Sequence, residues 1–262
     1  MGSFFQYESE LLQVQSEAVF SIGEIAVTNS MMSALLVTFL VILLCIWAST
    51  SLKKAAVPGK FQLVVETLVM TAMGFVDNIT GDSRVTRKIF PLIGGLLIYL
   101  LLANTFLVIP GLSSLQYDGK QIFRPTTTDF NATFGIATAM LIFVHLFTIM
   151  EGSLLGFIGK YIRVGEVVKG FRQGIGPGIM SIIDLFIGLL DIISEFAKSL
   201  SLSLRLFGNI FAGELLSSVM MGIFAIFLPI PFLVLSLFSG VVQAIVFGAL
   251  TSSYFGIALK EE

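Results

Sequence analysis

Residues 179–228 read IMSIIDLFIGLLDIISEFAKSLSLSLRLFGNIFAGELLSSVMMGIFAIFL, and this apolar stretch of 50 residues decides the fold. As one α-helix it would be about 75 Å long at ~1.5 Å per residue, whereas the hydrocarbon of a bilayer is ~30 Å thick. In a membrane it is therefore either one helix tilted by roughly 65° from the normal or two upright spans with a turn near Lys198–Asn209. No glycine or proline occurs from Leu189 to Phe207, which favours the single tilted helix.

The composition indicates that the surrounding solvent is lipid. Hydrophobic residues make up 56% of the 262 residues, charged residues only 12%, and the mean hydropathy is +0.97. Soluble domains are nearer 45–50% apolar and 25% charged. The single cysteine, Cys45, excludes an intrachain disulfide and a multi-cysteine metal site. A net charge of −2 without a basic cluster gives no indication of nucleic-acid binding.

Three further apolar stretches are each long enough to cross the bilayer, which takes about 20 residues. They are residues 31–52, 89–112 and 134–159. The amphipathic segment Phe61–Thr80 is predicted to lie flat at the membrane interface.

The end of the chain predicts a helical hairpin. Pro229 and Pro231 would end the long helix, so that its first arm covers about residues 178–228 and a second arm returns over 232–259. We therefore predict an all-α polytopic membrane protein with a long, steeply tilted C-terminal hairpin. An external segment, 1–30, would precede a membrane domain, 31–262.

Lysine and arginine placement predicts the orientation. Ten of these residues fall on the side that holds the loops after the first and third spans, and two, Lys120 and Arg124, fall on the other. The N-terminus is then outside and the C-terminus inside. The first thirty residues carry four glutamates and no basic residue, so no cleaved signal peptide is expected.

A stripe of charges lies along one face of the long helix. Its members are Asp184, Asp191, Glu195, Lys198 and Arg205, which lie within about 80° of one another, whereas Glu214 lies on the opposite face. Ionisable groups at membrane depth mark either an ion path or a buried pairing. Pairing along the helix explains Glu195 and Lys198 equally well, but Arg205 is too far from either helix end to reach water.

Three motifs resemble the a subunit of rotary ATP synthases, the ATP6 family. The first is SLSLSLRLFGNIFAGE, residues 199–214, which contains Arg205 and resembles the signature of that family. The second is PTTTDFNAT, residues 125–133, and the third is QAIVF, residues 243–247. The similarity runs in order from Met31 to Leu259, and the arginine motif is the most specific of the three.

The resemblance implies an ion-translocating subunit, with the proton as the expected ion, that forms two half-channels against a rotating ring of c subunits. Arg205 would separate the half-channels, Glu214, Asn209 and Gln243 would line the outer one, and Asp191 and Glu195 the inner one. It also implies b-type peripheral stalk partners, no cofactor, and ATP chemistry in other subunits. A bacterial inner membrane is the expected location, and an organellar energy-transducing membrane is the alternative.

The chain departs from the family pattern at one position. Some relatives have a histidine seven residues before the glutamine, where this chain has Ser236, which cannot titrate. His145 is interpreted as a packed residue rather than a relay member. Glu151 either lines the inner path or pairs with a lysine at the helix end. The sequence leaves H⁺ and Na⁺ both open.

Two other functions remain to be compared with this one. A secondary transporter would show inverted repeats and broken helices, and neither is visible. A non-conducting assembly scaffold would not need Arg205.

Overall fold

Six long α-helices follow one another in the part of the chain that this computed structural model describes. The described residues are 16–51, 59–105, 115–117, 120–153, 157, 159, 161, 167, 170–172, 174–223 and 229–260. They are α1 (Asn29–Ser51), α2 (Lys60–Thr80), α3 (Ser83–Thr105), α4 (Phe130–Glu151), α5 (Ile175–Ile223) and α6 (Pro229–Lys260). Five of these described helices are long and apolar enough to cross a membrane: α1, α2, α3, α4, and α6 over residues 230–258. The predicted all-α polytopic fold is confirmed.

Helix α5 is a single uninterrupted helix of 49 residues. The alternative of two upright spans joined by a turn near Lys198–Asn209 is therefore wrong. At ~1.5 Å per residue α5 is about 73 Å long, more than twice the hydrocarbon thickness. It packs along α6 as the first arm of a hairpin. The angle that α5 makes with the membrane stays a prediction.

Capping residues mark where several of the helices begin and end. Asp129 caps α4 by accepting a hydrogen bond from the backbone N–H of Asn131 at 2.9 Å. Asp82 does the same for α3 through the N–H of Arg84, at 2.8 Å. Gly81 ends α2 in the left-handed conformation, with φ 69°, which an L side chain adopts only at a cost.

Helix α6 is the centre of the fold, because it packs against α2, α3, α4 and α5. A stripe of small residues, spaced by four, allows α3 and, at Gly256, the end of α2 to approach it closely. The stripe consists of Gly240, Ala244, Gly248, Ser252 and Gly256. A Cβ on Gly248 would lie 2.7 Å from a methyl group of Leu97 in α3. Phe247 and Phe255 of α6 fill the main core and are fully buried.

Two small antiparallel ribbons, which the sequence analysis did not predict, accompany the helices. The first joins β1 (Ala18–Ile22) to β2 (Ile25–Thr28), and the second joins β3 (Gln116–Tyr117) to β4 (Lys120–Gln121). Asp129 ties the first ribbon to the helices, since its carboxylate accepts from the hydroxyls of Ser16 and Ser30. The starts of α1 and α4 are thereby fixed side by side.

The described helices differ from the predicted spans at their ends. Helix α3 begins before the predicted 89–112, because the cap at Asp82 admits a polar first turn. Helix α4 covers Phe130–Glu151 instead of 134–159, because Asp129 caps its start and Gly152 follows its last residue. Residues 1–15 of the external segment, residues 52, 106–112, 154–156, 158 and 224–228 of the predicted spans, and 261–262 lie outside the described residues.

The placement of α2 flat at the interface stays a prediction. By length and composition α2 could also cross a membrane. It is buried only at Val76 and Thr80, where it meets α3 and α6, and it exposes Leu68 and Met70.

Candidate functional site

Arg205 is an exposed cation on an otherwise apolar part of α5. Leu204 beside it is half exposed, and Leu206 is buried in the core. In the described part of the chain, the Arg205 guanidinium has neither a hydrogen bond nor an ion pair, although Tyr254 of α6 lies near it. Because an unpaired charge is costly at membrane depth, we expect its counter-charge on another molecule.

Small exposed side chains surround Arg205 on the same face of α5. They are Ser194, Ala197, Ser201, Gly208 and Ala212. Larger exposed apolar residues, among them Ile187 and Val219, continue the face at either end. Small residues allow a helix of another molecule to come close in a membrane. This arrangement is suited to a helical partner that carries an anionic group opposite Arg205.

Glu214 lies on the other side of α5 and is joined to Arg124, which follows β4. Its Oε2 atom is 3.7 Å from Nη2 of Arg124, and the two side chains are only 17% and 6% exposed. Thr128, in a short 3-10 helix over Thr126–Thr128, also lies beside the Glu214 carboxyl group. The carboxylate is thus in a polar pocket formed by α5 and the segment before α4.

A row of polar atoms continues from Glu214 along the contact between α5 and α6. Within the described residues, several buried polar atoms on these two helices have no hydrogen-bond partner. They are Glu214 Oε2, Ser217 Oγ, Ser236 Oγ and Gln243 Nε2. Buried polar groups are normally hydrogen-bonded to protein or water. The row therefore indicates a path that water or an ion can enter.

Asn209 and Gln243 are held at the level of Arg205 by the antiparallel packing of α5 and α6. The Ser239 hydroxyl donates a hydrogen bond of 2.7 Å to Oδ1 of Asn209, and Ser236 lies directly against Gly213. This register places Gln243 opposite Arg205. The structure thus brings these predicted outer-side residues together.

Glu195 is the centre of a second polar cluster on α5, about 15 Å from Arg205 along the helix axis. Lys198 Nζ donates to Glu195 Oε1 at 2.6 Å, and it also lies 5.3 Å from the centre of the Tyr254 ring. His145 of α4 places Nε2 3.8 Å from Glu195 Oε2. The predicted pairing of Glu195 with Lys198 is present, and His145 joins the same cluster.

Asp191 lies one helical turn from Glu195 and is half-buried. It makes no hydrogen bond or ion pair with the described residues, so its carboxylate is available to an ion. Glu151, whose role the sequence left open, pairs with Lys88 at 2.7 Å with both side chains exposed, which supports the pairing at the helix end. No three metal-binding side chains come together within the described ranges.

Arg124 was missed as a site residue by the sequence analysis, which counted it only as a basic residue of the outer side. The available signal was its position: it stands between Phe123 and Pro125, directly before the PTTTDFNAT motif. His145 was interpreted as a packed residue, and its contact with the Phe157 ring, at 5.4 Å, agrees with packing. Its approach to Glu195 adds a charge contact that sequence spacing could not show.

Comparison with known proteins gives one consistent result. The sequence model of the family described as "ATP synthase A chain" matches residues 31–256. "ATP synthase subunit a" of Desulforamulus reducens is 31% identical, with 83% of this chain and 74% of that protein aligned. "ATP synthase subunit a 1" of Hahella chejuensis is 29% identical over 86% and 82%. "ATP synthase subunit a 2" of a Bradyrhizobium species is 27% identical over 93% and 94%.

Proposed function

The chain belongs to the ATP synthase A chain family, the ion-translocating subunit a of F-type ATP synthases, and we propose that ions cross it through two half-channels separated by Arg205. It is a multi-pass membrane protein. Family membership does not favour the secondary transporter or the non-conducting scaffold. The observation that carries the proposal is the exposed guanidinium of Arg205, which has no hydrogen bond or ion pair with the described residues and has a polar cluster on each side of it along α5.

The outer half-channel consists of Glu214 and the polar row toward Arg205, which includes Asn209, Ser236 and Gln243. An ion entering from outside would pass from Glu214 along the α5–α6 contact to the surface beside Arg205. Because Ser236 cannot titrate, Glu214 works with hydroxyl groups and water here rather than with a histidine.

The inner half-channel begins on the other side of Arg205, at the surface of α5 near Asp191 and Glu195. These two carboxylates lie one turn apart, so either can accept an ion that leaves the ring. The pairing of Glu195 with Lys198 and His145 leaves Asp191 as the less constrained of the two acids.

Arg205 separates the two paths because an arginine keeps its proton at any physiological pH. A ring carboxylate at ~6 Å, with an effective dielectric of about 20, is attracted by roughly 3 kcal/mol. A passing carboxyl group would therefore lose its ion in front of Arg205, and an ion moving directly between the half-channels would be repelled. Each charge that crosses 100 mV supplies ~2.3 kcal/mol to turn the ring.

Membership in the F-type ATP synthase complex supports the proposal of specific partner subunits for this chain. The face of small residues around Arg205 is suited to the helices of a c-subunit ring, each with a membrane-embedded carboxyl group. Peripheral stalk subunits of the b type and the catalytic subunits would complete the assembly, so that this chain conducts ions and other subunits make ATP. The bacterial relatives support a plasma-membrane location. Proton pumping by complexes with Arg205→Ala tests the proposal.

Asp191→Asn should lower proton pumping less than twofold. Its neighbour Glu195 is one turn away and can take its place in the inner half-channel. Combining Asp191→Asn with Glu195→Gln should lower pumping far more than either change alone. ATP-driven acidification of inverted vesicles measures all three variants. Equal pumping by the double variant and the wild type would exclude this pair from the path.

The C-terminus should lie inside the cell. The basic-residue bias places the N-terminus outside, and three spans plus a two-armed hairpin return the chain to the inner side. A reporter that is active only outside the membrane should be inactive when fused after Glu262, and a reporter that is active only inside should work. The opposite pattern would mean that α2 crosses the membrane or that only one arm of the hairpin does.

A further inference from the structure

We propose that Arg124 is the positioning residue of the outer half-channel, where its guanidinium lies beside the Glu214 carboxylate and favours the charged form that takes up each successive proton. This rests on the proposed role of Glu214. It adds a second fixed cation to the path, on the side opposite Arg205.

Arg124 is buried and is held in place by hydrogen bonds of its own and the neighbouring backbone. Only 5% of the residue is exposed, and its backbone N–H donates a hydrogen bond of 3.1 Å to the hydroxyl of Ser33 in α1. Pro125 follows it and accepts, at 2.8 Å, a hydrogen bond from the hydroxyl of Thr128. The guanidinium is therefore brought to α5 from a segment that is fixed both to α1 and to the start of α4.

The charges explain why this arginine acts on Glu214. Arg205, the arginine of α5, points away from Glu214, since nine residues place the two about half a turn apart in direction. On the α6 side, the uncharged Ser236 lies against Gly213, the neighbour of Glu214. Taking an arginine out of water is costly unless a carboxylate compensates it, and a buried carboxylate needs the cation equally. The Arg124 guanidinium therefore favours the charged form of Glu214.

The distance between Arg124 and Glu214 shows that the Glu214 carboxylate is not held by a strong hydrogen bond. A strong hydrogen bond between an arginine and a carboxylate measures ≈ 2.7–2.9 Å, whereas these atoms are 3.7 Å apart. Glu214 Oε2 is buried without a hydrogen-bond partner among the described residues, so it can accept a proton. Arginine cannot lose its own proton, so only the state of Glu214 changes as a proton passes. The pair is thus suited to repeated proton uptake.

Four variants test the proposal, made in the complete ATP synthase: Arg124→Gln, Arg124→Lys, Glu214→Gln, and the double change of Arg124→Gln with Glu214→Gln. Arg87→Gln, which removes an exposed arginine at the start of α3, is the matched control. Passive proton flux is measured in vesicles stripped of the catalytic sector, and it is divided by the amount of assembled complex. This division separates a loss of conduction from a loss of assembly.

Arg124→Gln should lower the flux per complex about tenfold, because Glu214 loses the nearby cation that favours its charged form. Arg124→Lys should recover most of the flux, because it keeps the charge. The double variant should be no slower than Glu214→Gln alone, since Arg124 acts only through Glu214. Arg87→Gln should conduct like the wild type.

Two results would overturn the inference while leaving the role of Glu214 intact. One is a normal flux per complex in Arg124→Gln with less complex assembled, which would mean a structural pair only. The other is a double variant whose proton flux per complex is reduced by the product of the two single reductions, because the two residues would then act independently. A normal flux in Glu214→Gln would instead overturn the proposed role of Glu214, and with it this inference.

Discussion

Arg205→Ala should abolish ATP synthesis while the subunit still inserts in the membrane and joins the complex. The side chain is exposed on α5 and has no hydrogen bond or ion pair within the described chain, so its removal should not disturb the fold. What is lost is the cation that makes each arriving ring carboxyl group release its ion. ATP synthesis driven by respiration in inverted vesicles, compared with Arg87→Ala as the control, measures the effect.

Arg205→Lys separates the need for a charge from the need for a permanent one. An ammonium group deprived of water can lose its proton, whereas a guanidinium does not. The lysine variant should therefore also make little ATP. Synthesis near the wild-type rate with lysine would mean that any basic group suffices at this position.

Glu214→Gln should slow proton conduction roughly a hundredfold, the size of effect that loss of one proton-transferring group produces. Glutamine has nearly the same shape but cannot take up and release a proton. The change also leaves Arg124 without its counter-charge, so conduction must be measured per assembled complex.

Two comparisons make the Glu214 result specific. Glu66→Gln, the same chemical change at an exposed position of α2, should conduct normally. Glu214→Asp, which keeps the carboxyl group, should conduct better than Glu214→Gln. Conduction by Glu214→Gln at the wild-type rate would show that this carboxylate is structural.

The fold could be predicted to a large extent because the membrane makes simple demands on a sequence. Length and apolarity alone identified α1, α3 and α4, and the absence of turn residues from Leu189 to Phe207 identified α5 as one helix. The ends were less predictable, since α3 and α4 begin at the capping residues Asp82 and Asp129 rather than where apolarity begins. The first ribbon depends on a tight turn at Gly23, which has φ 65°.

The site was predictable only along α5. The spacing of three residues between Glu195 and Lys198 gives their pairing directly, because residues three apart are neighbours on a helix. Arg124 and His145 come from other elements, and no spacing in the sequence relates them to Glu214 or Glu195. Their contacts depend on how α4 and the segment before it pack on α5, which tertiary structure alone decides.

The contact between Gly213 and Ser236 gives a physical reason for the departure at position 236. A Cβ on Gly213 would overlap the Ser236 hydroxyl, so α5 and α6 are in close contact at this level. A small side chain at 236 fits this contact, and a histidine in its place would need more room. The departure that the sequence showed is thus linked to how closely the two arms of the hairpin pack.

The central claim is that Arg205 both drives the release of ions from the ring and blocks direct passage between the half-channels. The most direct measurement is ATP-driven acidification and passive proton flux in the same vesicles, with the wild type and with Arg205→Ala at equal amounts of assembled complex. We expect no acidification by the variant, with passive flux equal to or above that of the wild type. Acidification by Arg205→Ala at the wild-type rate would contradict the mechanism.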